Sequence, residues 1–148
     1  MDAFYVLLIL VAGACAPAQA GINSLLLRLW AGNVILAALI SFAVGTLALL
    51  IAVLVLRIPW PGIGKAAHLP WWMWTGGLMG AFLVASSVEA APILGAATMI
   101  GVMVAGQMVT SLLLDHWGLV GYSIHPISIP RVLGAILLIS GVIILKKF

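Results

Sequence analysis

Residues 4–30, FYVLLILVAGACAPAQAGINSLLLRLW, are apolar without interruption up to Ala16. A proline and two amides, Pro17, Gln19 and Asn23, then lie among further apolar residues. A transmembrane helix needs about 20 predominantly apolar residues, and the run from 4 to 27 satisfies that length. Hydrocarbon offers an amide almost no hydrogen-bond partner, so Gln19 and Asn23 require a partner or a watery cavity inside the protein. This stretch therefore predicts a membrane helix whose two amide side chains face a partner or a watery cavity inside the protein.

The composition indicates an integral membrane protein. Of 148 residues, 66% are hydrophobic and 6% are charged, whereas a soluble domain carries about 25% charged residues. The mean hydropathy is +1.35. The net charge of +3 comes from six basic and three acidic residues, and the basic ones are scattered among apolar runs without forming a patch. We expect them to contact headgroups of the lipid bilayer, and nucleic acid is not an expected partner.

Five runs have the length of a membrane crossing, and they cover about 4–27, 33–56, 71–88, 92–114 and 129–145. Residues 57–70 hold three prolines and two glycines, which predicts a loop. Pro92 is expected in the first turn of the fourth helix, where its missing N–H costs little. Tryptophans near the predicted ends fit an aromatic belt. The sequence thus predicts one all-α domain of five transmembrane helices over 1–148.

The Lys and Arg residues give no bias for either orientation in the membrane. With five crossings, three of them fall on each face. One face carries Arg57, Lys65 and Arg131, and the other carries Arg28, Lys146 and Lys147. Because this charge balance sets orientation, we expect the chain to insert both ways and to form an antiparallel homodimer about a two-fold axis in the membrane plane. A fixed topology set by other cues is the alternative.

The two glutamines of the chain both lie within predicted spans. Gln19 lies roughly 5 Å from the midplane and Gln107 roughly 6 Å from it, by the helical rise. Helices one and four cross in opposite directions, so an inverted partner brings its Gln107 to the depth of Gln19. Asn23 shares a face with Gln19, and Pro17 and Gly21 allow a bend. The amides either bond between helices or contact a solute, and a discontinuous helix favours the solute.

The predicted spans have no ionisable residue in their central parts. Glu89, which follows Ser86, is placed at a helix end, facing the N-terminus of the next helix. Asp115 is placed at another end, where it pairs with His116 or Arg131. The loop histidines lack metal-ligand spacing, and no nucleophile elbow or Walker-type loop occurs in the sequence. We therefore expect no metal, no cofactor and no enzymatic activity.

Several segments resemble a known family. They are QAGINSLLLRLW (19–30), ISFAVGTLALL (40–50), WWMWTGGLMGAFLV (71–84), APILGAATMIGVMVAGQMVTSLLLDHWGLVG (91–121) and PRVLGAILLISGVIIL (130–145). Together they are similar to the YdcZ-like five-helix family of the drug/metabolite transporter superfamily, over nearly the whole chain. The positions that match its motifs are Gln19, Gly21, Asn23, Phe42, Gly45, Gly76, Gly77, Gly95, Gly106, Gln107, Asp115 and Gly118.

The resemblance implies a small multi-pass protein of the inner membrane, equal to about half of a ten-helix transporter, which two inverted copies would rebuild. The related small multidrug exporters use a glutamate in their first membrane helix, whereas this chain has only amides there, which argues against the same proton-driven cation export.

We therefore expect a homodimeric transporter that contacts a small polar or amphipathic solute through Gln19, Asn23 and Gln107. The supporting residues would be Pro17, Gly21, Gly106, Ser86, Glu89 and Asp115. A passive pore and a non-transporting accessory or assembly protein are the alternatives.

The balanced charges make the orientation testable. A reporter fused to the C-terminus should report both sides of the membrane. Replacing Lys146 and Lys147 by Gln leaves three basic residues against one, so the C-terminus should then lie almost entirely outside. A single orientation of the unaltered chain would contradict dual insertion.

Overall fold

The computed structural model describes residues 2–66 and 68–147, and every regular element in that part of the chain is helical. The α-helices are α1 (Asp2–Leu26), α2 (Val34–Val55), α3 (Ile63–Ala66), α4 (Gly76–Leu94), α5 (Ala96–Trp117) and α6 (Ile129–Lys147). Within these described residues, five helical spans are long and apolar enough to cross a membrane. They are Ala3–Ala31, Val34–Val55, Trp71–Leu94, Ala96–Trp117 and Ile129–Lys147. The prediction of an all-α chain with five membrane-length helices is confirmed.

The first span is longer than the sequence indicated. A π-helical turn over Leu27–Ala31 continues α1 into the region predicted as a short turn. Gly32 ends it in the left-handed conformation, with φ of 65°, and its N–H donates to the Leu27 carbonyl at 2.9 Å. Asn33 then caps α2 by accepting a hydrogen bond from the Ile35 N–H at 2.8 Å. The glycine and the Asn33 cap therefore mark the boundary between the first two spans.

The connection predicted over 57–70 holds one helical turn, α3, between Pro61 and Pro70. Position 67 lies outside the described residues. A 3-10 turn over Trp71–Thr75 then leads into α4.

The placement of Pro92 in the first turn of the next helix is wrong. α4 runs through Pro92 to Leu94, and α5 begins at Ala96. The break falls at Gly95, whose φ of 76° is a conformation that L side chains rarely adopt. The glycine therefore separates the two helices, and the proline is accommodated inside α4.

The chain divides into two compact units, and the divisions fall at Pro17 inside α1 and at Pro92 inside α4. The central unit covers Ala18–Pro92, and the terminal unit joins the chain up to Pro17 with the chain from Ile93 onward. The single five-helix domain stays a prediction.

Most of the buried residues described in the central unit have small side chains. Ala20, Ala37 and Ala38 are buried, and Val88 is the largest side chain that is completely enclosed. Small residues let helix backbones approach closely, which is how helices associate where lipid provides no hydrophobic drive.

In the terminal unit, α5 packs along α6. A Cβ atom added at Gly101 would lie 3.1 Å and 3.2 Å from the two Cγ atoms of Val142. Glycine at this position therefore allows the close approach of the two helices.

This contact predicts that Gly101→Ala destabilises the chain by about 1–3 kcal/mol, because the new methyl overpacks against Val142. Gly134→Ala on α6 is the matched control, since its Cβ meets nothing within 4 Å and any change in helix propensity is shared by both variants. Denaturation in detergent compares the two. Equal stability, or no recovery when Val142→Ala is added to Gly101→Ala, would contradict the assigned contact.

Candidate polar site in the membrane

A side-chain hydrogen bond joins α1 to α4 in the central unit. The Ser24 hydroxyl donates to the Val88 carbonyl at 2.7 Å, and both residues are buried. In a regular helix this carbonyl would accept from the N–H four residues later, but that residue is Pro92, which has none. Ser24 therefore satisfies the backbone acceptor that the proline leaves free inside the membrane.

Asn23 lies beside this contact on α1 and is 4% exposed. Its side-chain nitrogen Nδ2 has no hydrogen-bond partner among the residues that the structure describes. A buried amide donor without an acceptor costs about 1–3 kcal/mol, so such a group calls for an explanation. A solute or water that presents an acceptor to Nδ2 would satisfy it.

The two glutamines lie at the surface of the chain. Gln19 on α1 and Gln107 on α5 are both exposed. The shared face expected for Gln19 and Asn23 is divided, because positions four apart on a helix differ by about 40° and the buried line of α1 follows Ala20, Asn23 and Ser24. The chain by itself therefore does not enclose the glutamines, and their contact with a second copy stays a prediction.

The proposed supporting residues occupy varied environments. Pro17 is half-buried inside α1. Gly21 and Gly106 are exposed, and a Cβ at either position would meet nothing within 4 Å. Their small size is thus not required by contacts within the chain.

The structure corrects the position of Glu89. It lies inside α4, five residues before the helix ends at Leu94, rather than at a helix end. It cannot cap the next helix as expected, because Pro92 belongs to the same helix and Gly95 precedes α5. Glu89 and Ser86 are both exposed.

Asp115 lies at the end of α5 and takes part in a hydrogen-bond network that fixes the following loop. Of its two expected partners, Arg131 forms the ion pair, from Nη2 to the carboxylate oxygen Oδ2. The other guanidinium nitrogen of Arg131 donates to the His125 carbonyl at 2.7 Å, and the His125 N–H donates to the Asp115 carbonyl at 2.8 Å. His116 Nδ1 accepts from the Ile127 N–H at 3.2 Å. The network therefore joins the end of α5 to the loop and to the start of α6, which is a structural role.

Among the grooves on the described helices, two have apolar walls. One, of about 220 Å³, lies between α2 and α4 in the central unit. The other, of about 460 Å³, lies between α5 and α6 in the terminal unit. Neither is lined by Gln19, Asn23 or Gln107. Among the described residues no group of His, Cys, Asp and Glu side chains is arranged to hold a metal ion.

Ser24 and Ser87 are the buried polar residues that the sequence did not single out. Ser87 donates to the Val84 carbonyl of its own helix at 2.8 Å. The signal that would have identified Ser24 is a proline inside α4, because a freed carbonyl within a membrane requires a donor from a neighbouring helix.

Five membrane-length helices with amide and hydroxyl groups inside apolar spans define a small multi-pass membrane protein. Comparison with known proteins specifies it further: the chain belongs to the YdcZ family, described as "Putative inner membrane exporter, YdcZ", which matches residues 4–144. This is a family of membrane proteins described as exporters and not an enzyme family.

The chain is 32% identical over 122 residues to the inner membrane protein YdcZ of Escherichia coli (strain K12), and the alignment covers 80% of each chain. The comparison supports multi-pass localisation in the inner membrane. No solved structure matches the chain significantly.

The bond between Ser24 and Val88 leads to a double-mutant test. Ser24→Ala should lower the free energy of unfolding by about 1 kcal/mol, because the Val88 carbonyl loses its donor. In a Pro92→Ala background the backbone N–H of residue 92 can donate to the Val88 carbonyl. Ser24→Ala should therefore lower the free energy of unfolding by less than it does when Pro92 is present. Ser87→Ala is the matched control for a buried hydroxyl that bonds within its own helix. An equal cost of Ser24→Ala in both backgrounds would refute the coupling.

Proposed function

We propose that the chain is the subunit of a small-solute transporter that works as an antiparallel homodimer, with a polar site near the bilayer midplane formed by Gln19, Asn23 and Gln107. Membership of a family described as inner membrane exporters supports the class. The solute is small and polar or amphipathic, and neutral hydrogen bonds recognise it.

The observation that carries this proposal is the partnerless nitrogen of Asn23. The side chain is buried, yet Nδ2 meets no acceptor in the described chain. A purely structural amide between helices would be expected to have an interhelical partner, since pairing is what favours amides in membranes. A solute carrying a hydroxyl, carbonyl or similar oxygen supplies the acceptor.

The exposed glutamines support the part of the proposal that concerns a second copy of the chain. Lipid tails cannot bond to the amides of Gln19 and Gln107, so these groups are stable only where another surface covers them. At most 11% of any membrane-spanning window is buried within the chain, which leaves ample surface for a partner. An inverted copy is the partner that brings Gln107 to the depth of Gln19.

The proposal predicts the behaviour of Gln107→Leu. The variant should remain folded, because an apolar replacement of an amide is nearly neutral in lipid, but it should lose solute binding. A screen of the purified protein for solutes that raise its thermal stability identifies the ligand, since binding to the folded state alone must stabilise it. Saturable uptake of that solute by vesicles then measures transport.

Ser140→Ala is the control, because that hydroxyl is exposed on α6 and bonds to the Ile136 carbonyl of its own helix at 2.8 Å. It should bind and transport as the unaltered chain does. Full activity of Gln107→Leu would make the glutamine a packing residue. Linear, unsaturable flux would indicate a pore, and stable co-purification with another membrane protein without uptake would indicate an accessory protein.

A further inference from the structure

The buried polar side chains of the central unit differ in whether the chain already provides their partners. Asn23, Ser24 and Ser87 are the polar residues buried in the described chain, and all three belong to this unit. The Ser24 hydroxyl donates to the Val88 carbonyl at 2.7 Å. The Ser87 hydroxyl donates to the Val84 carbonyl at 2.8 Å. Since a hydroxyl has one proton to donate, both of these protons are committed to the backbone.

Asn23 carries the buried donor that remains. Its Nδ2 has no hydrogen-bond partner among the described residues, and the residue is 4% exposed. An amide nitrogen donates and does not accept, so only an acceptor can satisfy it. A group that accepts without carrying a proton of its own satisfies Nδ2 and adds no further donor in need of a partner.

The buried part of the unit is uncharged. No charged residue is buried in the described chain, and α2 carries no charged residue at all. Glu89 is exposed on α4, and two positions along a helix place it roughly 160° around the axis from the buried Ser87. Arg28 is exposed after α1, where its Nε donates to the Ser24 carbonyl at 3.4 Å. An ion beside Asn23 would therefore lose its hydration without a buried opposite charge.

Asn23 is enclosed by its own unit, unlike the two glutamines. A second copy docks against exposed surface, so it can cover Gln19 and Gln107. A group that reaches Asn23 Nδ2 must instead enter between the helices of the central unit. A small molecule can do so by local opening of the structure. The missing acceptor is therefore assigned to the solute and not to the second copy.

We propose that the site at Asn23 binds neutral solutes whose polar end accepts a hydrogen bond and carries no proton, such as a ketone or a tertiary amide, in preference to organic cations and anions. The inference rests on the transporter function proposed above and names the solute class of the same site. An ammonium group offers Nδ2 no acceptor. A carboxylate does accept, but its charge would be buried against one amide without a cation.

NMR spectroscopy can observe the donor directly, because Asn23 and Asn33 are the only asparagines of the chain. Selective ¹⁵N-asparagine labelling of the full chain in detergent therefore gives two side-chain amide groups. Asn33 is the internal control, since it is exposed and its side-chain oxygen accepts from the Ile35 N–H. Asn23→Leu assigns the other signal by removing it.

Three probes of similar size and different charge are added: N,N-dimethylbenzamide, benzyldimethylammonium and benzoate. The amide probe should move the side-chain proton signal of Asn23 downfield in a saturable way, because Nδ2 then donates to its carbonyl. The cation and the anion should leave that signal in place, and no probe should move the Asn33 signal. A saturable shift of equal size with either ion, or no shift with the amide probe up to its solubility limit, would overturn the inference.

Thermal denaturation with the same probes gives a second measure. Asn23→Leu should fold, because an apolar side chain replaces an amide that has no partner. It should raise the dissociation constant of the amide probe about two- to tenfold, the change that one hydrogen bond supports. Ser87→Ala is the matched control and should leave that constant unchanged, since its hydroxyl bonds within its own helix. Equal dissociation constants in Asn23→Leu and the unaltered chain would refute the assigned donor.

Binding is measured here without transport, so the two proposals can fail separately. Binding of the amide probe that depends on Asn23, in a chain without saturable uptake of any solute, would overturn the transporter function and leave the acceptor-binding site standing. Saturable uptake of an organic cation that Asn23→Leu does not alter would overturn the solute class and leave the transporter function standing.

Discussion

A polar group inside a bilayer needs a hydrogen-bond partner within the protein, because hydrocarbon supplies none. The hydrogen bond from Ser24 to the Val88 carbonyl provides such a partner. Pro92 removes the backbone donor that would normally serve that carbonyl. α1 supplies the replacement donor, and the proline lies inside α4, which continues to Leu94. The hydroxyl of Ser24 thus supplies the donor that the Val88 carbonyl lacks where the proline lies inside the helix.

The number and type of the membrane spans could be read from the sequence because they depend on length and hydropathy alone, as the run from 4 to 27 illustrates. The ends of the spans could not. The π-helical turn after Leu26 ends at Gly32 in the left-handed conformation, and the extension of α4 through Pro92 is accompanied by a contact between residues 64 positions apart. Local patterns carry no information about such a contact, so the proline was assigned to the wrong helix.

The candidate site was predictable in residue type but only partly in environment. Amides stand out in an apolar sequence, and Asn23 is indeed buried. Gln19, four residues before it, is exposed. Positions four apart on a helix differ by about 40° around the axis, so Gln19 lies beside the buried face of α1 rather than on it. The pairing of Asp115 with Arg131 was one of two stated options, and the backbone roles of His116 and His125 depend on the path of the loop.

The polar groups of the spans divide into two classes by how they are satisfied. Ser24 and Ser87 donate to backbone carbonyls within the chain and therefore need nothing else. Asn23 Nδ2 has no acceptor in the described chain, and Gln19, Gln107 and Glu89 are open on its surface. Hydrocarbon satisfies none of the second class. Hydrogen bonds within the chain account for the first class only, and the second class holds the groups that the proposed solute and second copy would satisfy.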